Sequence, residues 1–263
     1  MAAVGACLPS ACPAQAPAPV NLGYPWHDYV QLDGKAVAYE YRYGGASPAV
    51  RVSPPRVGAD KTSASTWDAN GNGNNANFNN GYRTKLFALA SDDVSPLAVE
   101  YLDSASGNLL ASFVKLTEAI NAGKVRASLW RLQDFSLPNS SLTLRVRFAS
   151  ACTAKTSSLV EVKGVTGSLE VQAVGTGSGT TASTGLTPAS IAEQQLLISV
   201  LAIEGPSNDP LGLWSNSFIN GCTGCPGGVL GTTGNPAASN VALHVGYRTV
   251  SVNDQFKIGR AHV

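Results

Sequence analysis

The sequence predicts an all-β chain, an antiparallel β-sandwich of jelly-roll or immunoglobulin-like type. The first observation behind this is a recurring period-two alternation. It is clearest where Leu142, Leu144, Val146 and Phe148 fall on one side and Thr143, Arg145 and Arg147 on the other, one dry face and one wet face of a strand. The second is punctuation: clusters of Gly, Pro, Asn, Asp and Ser separate the alternating runs, in a chain with 27 Gly and 15 Pro among 263 residues. The third is that only 13% of residues are charged, so the polarity resides in hydroxyls and amides, as in many secreted β proteins.

Residues 1–34 are rich in Ala and Pro and without a sustained period, and read as a disordered leader; they lack the basic start and continuous apolar run of a signal peptide. A β-sandwich domain is expected over 35–257, with 35–52 as a candidate end of a preceding unit. In AVAYEYRY, Tyr39, Tyr41 and Tyr43 share one face with Val37. Such a stripe could stack on the apolar face of a sugar, but Glu40 and Arg42 on the other face favour a buried tyrosine side. The polar passage WDANGNGNNANFNN places Asp68, Asn70, Asn72 and Gly73 at the first, third, fifth and sixth places of a calcium loop. The twelfth place is Asn79 where a bidentate Glu is needed, so an Asn/Gly loop accounts for the same letters and calcium is at most a weak ligand.

Strands follow at 83–90 and 96–102, with Ser91, Asp92 and Asp93 as the turn, and another at 109–116. TEAINAG, 117–123, has a cap-like start and a terminal Gly, and predicts one or two helical turns. Leu129, Trp130 and Leu132 are expected to pair with 142–148 as a central hairpin, turned by Pro138, Asn139, Ser140 and Ser141. Short strands are predicted at 158–164 and 168–174. QQLLISVLAI is apolar on both sides, with Leu196, Ile198 and Val200 opposite Leu197, Leu201 and Ile203, which predicts a central strand. Leu196, Ile198 and Val200 are assigned to the core. Val241, Leu243, Val245 and Tyr247 alternate with Ala242, His244, Gly246 and Arg248 in a late strand.

Five cysteines occur, at Cys7, Cys12, Cys152, Cys222 and Cys225. The CTGC of Cys222 and Cys225 and the pair Cys7 and Cys12 are candidate disulfides; with few histidines, a zinc site is disfavoured. The 18 Lys and Arg against 17 Asp and Glu give no field for nucleic acid, and no apolar run is long enough to span a membrane as a helix. No nucleophile elbow, zinc-protease helix or phosphate loop is present, and His244, set between Leu243 and Val245, reads as structural or solvent-facing. Asp92, Asp93, Glu100, Glu161, Glu170 and Glu204 could supply a carboxylate pair, but their spacing selects none; Asp92 and Asp93 read as a solvated loop tip.

The series RTKLFALA, SLWRL, SLTLRVRF, VEVKGV, QQLLISVLAIEG and VALHVGYRTVSVNDQF, about 83–256, resembles a β-sandwich module common in large secreted and cell-surface proteins of bacteria. The resemblance implies a display, adhesion or spacer role and carries over no catalytic residue; the chain is expected to be a non-enzymatic extracellular module, with a glycan or cell-surface protein as candidate partner. The alternatives are a carbohydrate-binding module, or an accessory domain of a secreted glycoside hydrolase or phage virion protein. The last six residues, IGRAHV at 258–263, are similar to the translation of a sequencing-adapter string. They are expected to be a tail of that origin on a truncated chain, able to pair passably as a strand.

Overall fold

The computed structural model describes residues 26–32, 35–42, 51–52, 56–69, 84–135, 141–165, 172–176, 181–186, 195–204, 219–220, 231–232, 241–250 and 257–261. The chain divides into two compact units, Met1–Ala49 and Val50–Val263. In the first, β1 (Trp26–Leu32) and β2 (Lys35–Arg42) form an antiparallel pair, so strand structure begins within the stretch read as leader. Tyr29 lies opposite Tyr39 and His27 opposite Tyr41.

The second unit starts with β3 (Arg51–Val52), β4 (Arg56–Asp60), β5 (Ala64–Asp68), β6 (Thr84–Asp92), β7 (Pro96–Asp103) and β8 (Leu109–Ser112). It continues with β9 (Val114–Asn121), β10 (Val125–Leu132), β11 (Leu142–Cys152) and β12 (Lys155–Lys163). A front sheet has the order β5-β11-β7-β8, and a middle sheet the order β12-β6-β10-β9, with β3 and β4 both on the outer side of β12. Every pairing is antiparallel. With β9 set aside as an added edge strand, β4-β12-β6-β10 facing β5-β11-β7-β8 is the strand order of a jelly roll, the first of the two sandwich types expected.

The two sheets enclose one interior. Phe87, Leu89, Trp130 and Leu159 from the middle sheet meet Trp67, Val99, Tyr101, Leu142, Leu144, Val146 and Phe148 from the front sheet. The 142–148 alternation is therefore as expected, with Arg145 and Arg147 outward. Its pairing is not. Leu129, Trp130 and Leu132 lie in β10 of the middle sheet, whereas β11 pairs with β5 and β7 in the front sheet. The two strands lie in different sheets and do not form the expected hairpin: Trp130 meets the 142–148 apolar face across the first interior, while Leu129 packs in a second one.

A third sheet covers the other face of the middle one. It is built from β14 (Gln195–Glu204), β15 (Ile219–Asn220), β16 (Gly231–Thr232) and β17 (Val241–Val250), with β17 between β14 and the two short strands. Val241, Leu243 and Val245 pack with Leu86, Ala88, Ala90, Val125, Leu129, Val160 and Val162, and half-buried Leu196, Ile198 and Val200 join them. This second interior explains β6 and β12, which are buried at all but their last residue: one face of each serves each core. It also corrects the place of β14, which lies at the edge of the third sheet among the described residues and not at the centre of the sandwich. The remaining strands, β13 (Thr181–Leu186) and β18 (Lys257–Ala261), pair with each other, so the adapter-like residues do form a strand.

Two more expectations fail locally. Residues 117–121 belong to strand β9, not to a helix, and Gly123 (φ 70°) turns the chain into β10 through the hydrogen bond from Lys124 N to Asn121 O. Residues 172–174 are not strand, and 166–171 fall outside the described residues.

Candidate functional site

The front-facing side of the β6·β12 pair is apolar at its centre and charged at both ends. The register stacks Lys85 opposite Glu161, Phe87 opposite Leu159, Leu89 opposite Ser157, and Ser91 opposite Lys155. Each end therefore carries a buried lysine, and each lysine meets a carboxylate.

At the first end Lys85 Nζ lies 2.7 Å from Glu161 Oε1, with side chains only 1% and 4% exposed. Tyr101, fully buried in the adjacent front sheet, feels this pair: burial first, and then the negative Glu161, push its phenol well above the usual tyrosine range, while Arg56 pulls the other way. The phenol stays protonated across the working range. Charges in such a place are costly unless paired, and cross-strand adjacency supplies the pairing.

At the other end Lys155 Nζ lies 2.7 Å from Asp60 Oδ2, directly across the β4·β12 register. It also donates to the carbonyl oxygens of Thr62 at 2.6 Å, Cys152 at 3.2 Å and Thr153 at 3.4 Å, and sits over the Trp67 ring at 5.9 Å. Burial would raise the Asp60 carboxyl, but hydrogen bonds from Lys155 and Thr62 outweigh it and hold the group below its ordinary value. Cys152 beside it is a buried free thiol. Burial, with the negative Asp92 second, pushes it up to about 11. A thiol held so is not a nucleophile at neutral pH.

The turn carboxylates are structural. Asp92 accepts from Thr153 N at 3.1 Å and Ala154 N at 2.8 Å, fixing the β11–β12 corner. Asp93 accepts from Gly123 N at 2.6 Å and meets Arg126 at 2.7 Å; the Gly123 N–H, then the guanidinium, lower it despite some burial. Neither is the solvated tip that sequence composition suggested. The reason is that β6, β10 and β12 end together here, so one short turn must serve several backbone N–H groups.

On the outer face of the front sheet Arg145 makes a two-pronged contact to Asp68 at 2.7 and 3.2 Å, and Arg147 another to Glu100 at 3.0 and 2.7 Å. The lead carboxylate of the calcium-loop reading is thus already held by a guanidinium. Asn70 and Asn72 lie outside the described residues, as do Tyr43, Glu170, Cys7, Cys12, Cys222 and Cys225. Tyr39 and Tyr41 sit on β2 in the first unit. Glu204 stands 4.0 Å from Lys124, and His244 is fully buried in β17.

Sequence reasoning missed Lys85, Lys155 and Tyr101. A signal existed: the lysines interrupt otherwise buried runs, TKLFALA and KTSSLVEV, where a solvated face would have shown charge at every second place.

A different feature lies along one side of the sandwich. β8 and β9 are consecutive and, among the described residues, form edges of the front and middle sheets, joined at buried Phe113. Along them Leu109 is 57% exposed, Val114 63% and Ile120 42%. In β9 the register slips beside Leu116, which puts Lys115 and Glu118 on one face and lets them bond at 3.2 Å, although they are three residues apart. Lys115 also caps Trp130 at 5.0 Å.

Against protein-family models, curated proteins and solved structures, the chain has no match.

Proposed function

We propose that this chain is a non-enzymatic structural, display or adhesion module of a larger surface or secreted protein, working outside the cell. The observation that carries the reading is the β8–β9 rim. Single exposed leucines are ordinary on a protein surface, but here large apolar side chains stand along two consecutive edge strands. Edge strands offer unpaired backbone groups as well as side chains, which suits docking to a neighbour. The outer face of the front sheet, by contrast, pairs its own charges.

Beads coated with the purified chain are expected to adhere to a target cell surface or to an adjoining module, and Val114→Thr with Ile120→Thr should weaken that adhesion while leaving the fold intact. Adhesion unaffected by both changes would remove the rim from the account. The carbohydrate-binding reading has one observation in its favour, the β1–β2 register that sets Tyr29 opposite Tyr39 and His27 opposite Tyr41. Glycan-array binding lost in Tyr39→Ala and Tyr41→Ala would replace the first reading by this one.

A further inference from the structure

We propose that Lys85 and Glu161 condense to an intramolecular isopeptide bond that ties β6 to β12. The two residues are directly opposed on neighbouring strands, with Nζ 2.7 Å from Oε1 and both side chains almost wholly enclosed. The next pair along the same face, Phe87 and Leu159, is buried in the first interior.

The chemistry balances without any co-reactant. A proton passes from the Lys85 ammonium to the Glu161 carboxylate, leaving an amine and a carboxylic acid. The amine lone pair attacks Cδ, one carboxyl oxygen departs with two protons as water, and an amide N–H remains. Enclosure favours the condensation because two reacting groups fixed side by side gain an effective concentration no free pair has. The product replaces two buried charges by one neutral amide.

The second buried lysine marks the contrast. The carboxylate beside Lys155 is open to water, the Asp60 side chain being 27% exposed against 4% for Glu161. The bond is therefore assigned to the Lys85 end alone. Its consequence is a covalent staple between the two strands that both cores share, independent of what the rim binds.

The test is the intact mass of the full chain, denatured and reduced. It should be lighter than the sequence by one water, and a tryptic digest should give a branched peptide in which cleavage after Lys85 is blocked. A Lys85→Arg chain should have the unaltered sequence mass. A wild-type chain at sequence mass, or a missing water mapped to Lys155 and Asp60, would overturn the assignment, and neither result depends on how well the variant folds.

Discussion

At the scale of single residues, the molecule keeps its reactive groups by enclosing them. Cys152 shows this most simply: with its thiol raised to about 11 and its side chain buried, alkylation at pH 8 followed by peptide mapping should leave Cys152 unlabelled in the folded chain and labelled after denaturation. Equal labelling in both states would mean the β11–β12 corner is open. Asp60 makes a pH prediction with a definite sign. Its folded value lies below the unfolded one near 3.8, so its contribution is present above that value and is lost as pH falls through the folded one. Acid titration of stability should therefore be shallower in Asp60→Asn than in the wild type below pH 4. Core positions follow burial: Val146, fully buried between the sheets, should lose about 3 kcal/mol or more on replacement by Asp, and half-buried Ile198 less. A parent-like melting temperature for Val146→Asp would contradict the facing of β11. These facings were legible in the sequence because alternation is local. The partners of Lys85 and Lys155 were not, since Glu161 and Asp60 reach them only through strand pairing.

At the scale of elements, the edges of the sandwich are closed by close approach as much as by hydrogen bonds. Gly58 in β4 faces the chain leaving β5, where a Cβ would come to 2.2 Å from the Ala69 carbonyl oxygen, and Ala69 N is itself bonded to Leu144 O at 2.8 Å. Backbone cannot swing aside as a side chain can, so Gly58→Ala should destabilise by about 1–3 kcal/mol by the overpacking rule, measured by denaturant unfolding. A neutral result would show that the β4–β5 crossing has slack. The β9 strand illustrates what short patterns cannot decide. TEAINAG carries a cap, an alanine pair and a terminal glycine, all compatible with a helical turn, yet β10 offers a long strand edge and Gly123 serves equally as a hairpin residue with positive φ. Tertiary pairing overrode local preference. The same holds for the expected β10–β11 hairpin: turn residues at 138–141 signal a reversal, but whether a reversal stays in one sheet or arches to another depends on which faces need cover.

At the scale of the whole sandwich unit, the jelly roll is unusual in that one of its sheets serves two cores. An all-β sandwich was legible from alternation and punctuation; the third sheet was not, because the sequence signal for a doubly covered strand, a continuous apolar run, was read at QQLLISVLAI. The strands that are covered twice, β6 and β12, hide theirs behind Lys85, Lys155, Glu161 and several serines and threonines. Several of those polar residues are tolerated because they find a partner across a strand, as Lys85 does with Glu161 and Thr156 with the Gly58 carbonyl at 2.9 Å. The most direct test is native-state amide hydrogen exchange resolved by strand. Amides of β6 and β12 should be the slowest in the chain, protected to the level of global unfolding, while those of β8 and β9 exchange through local opening. Exchange in β6 and β12 as fast as in β8 would contradict a middle sheet covered on both faces.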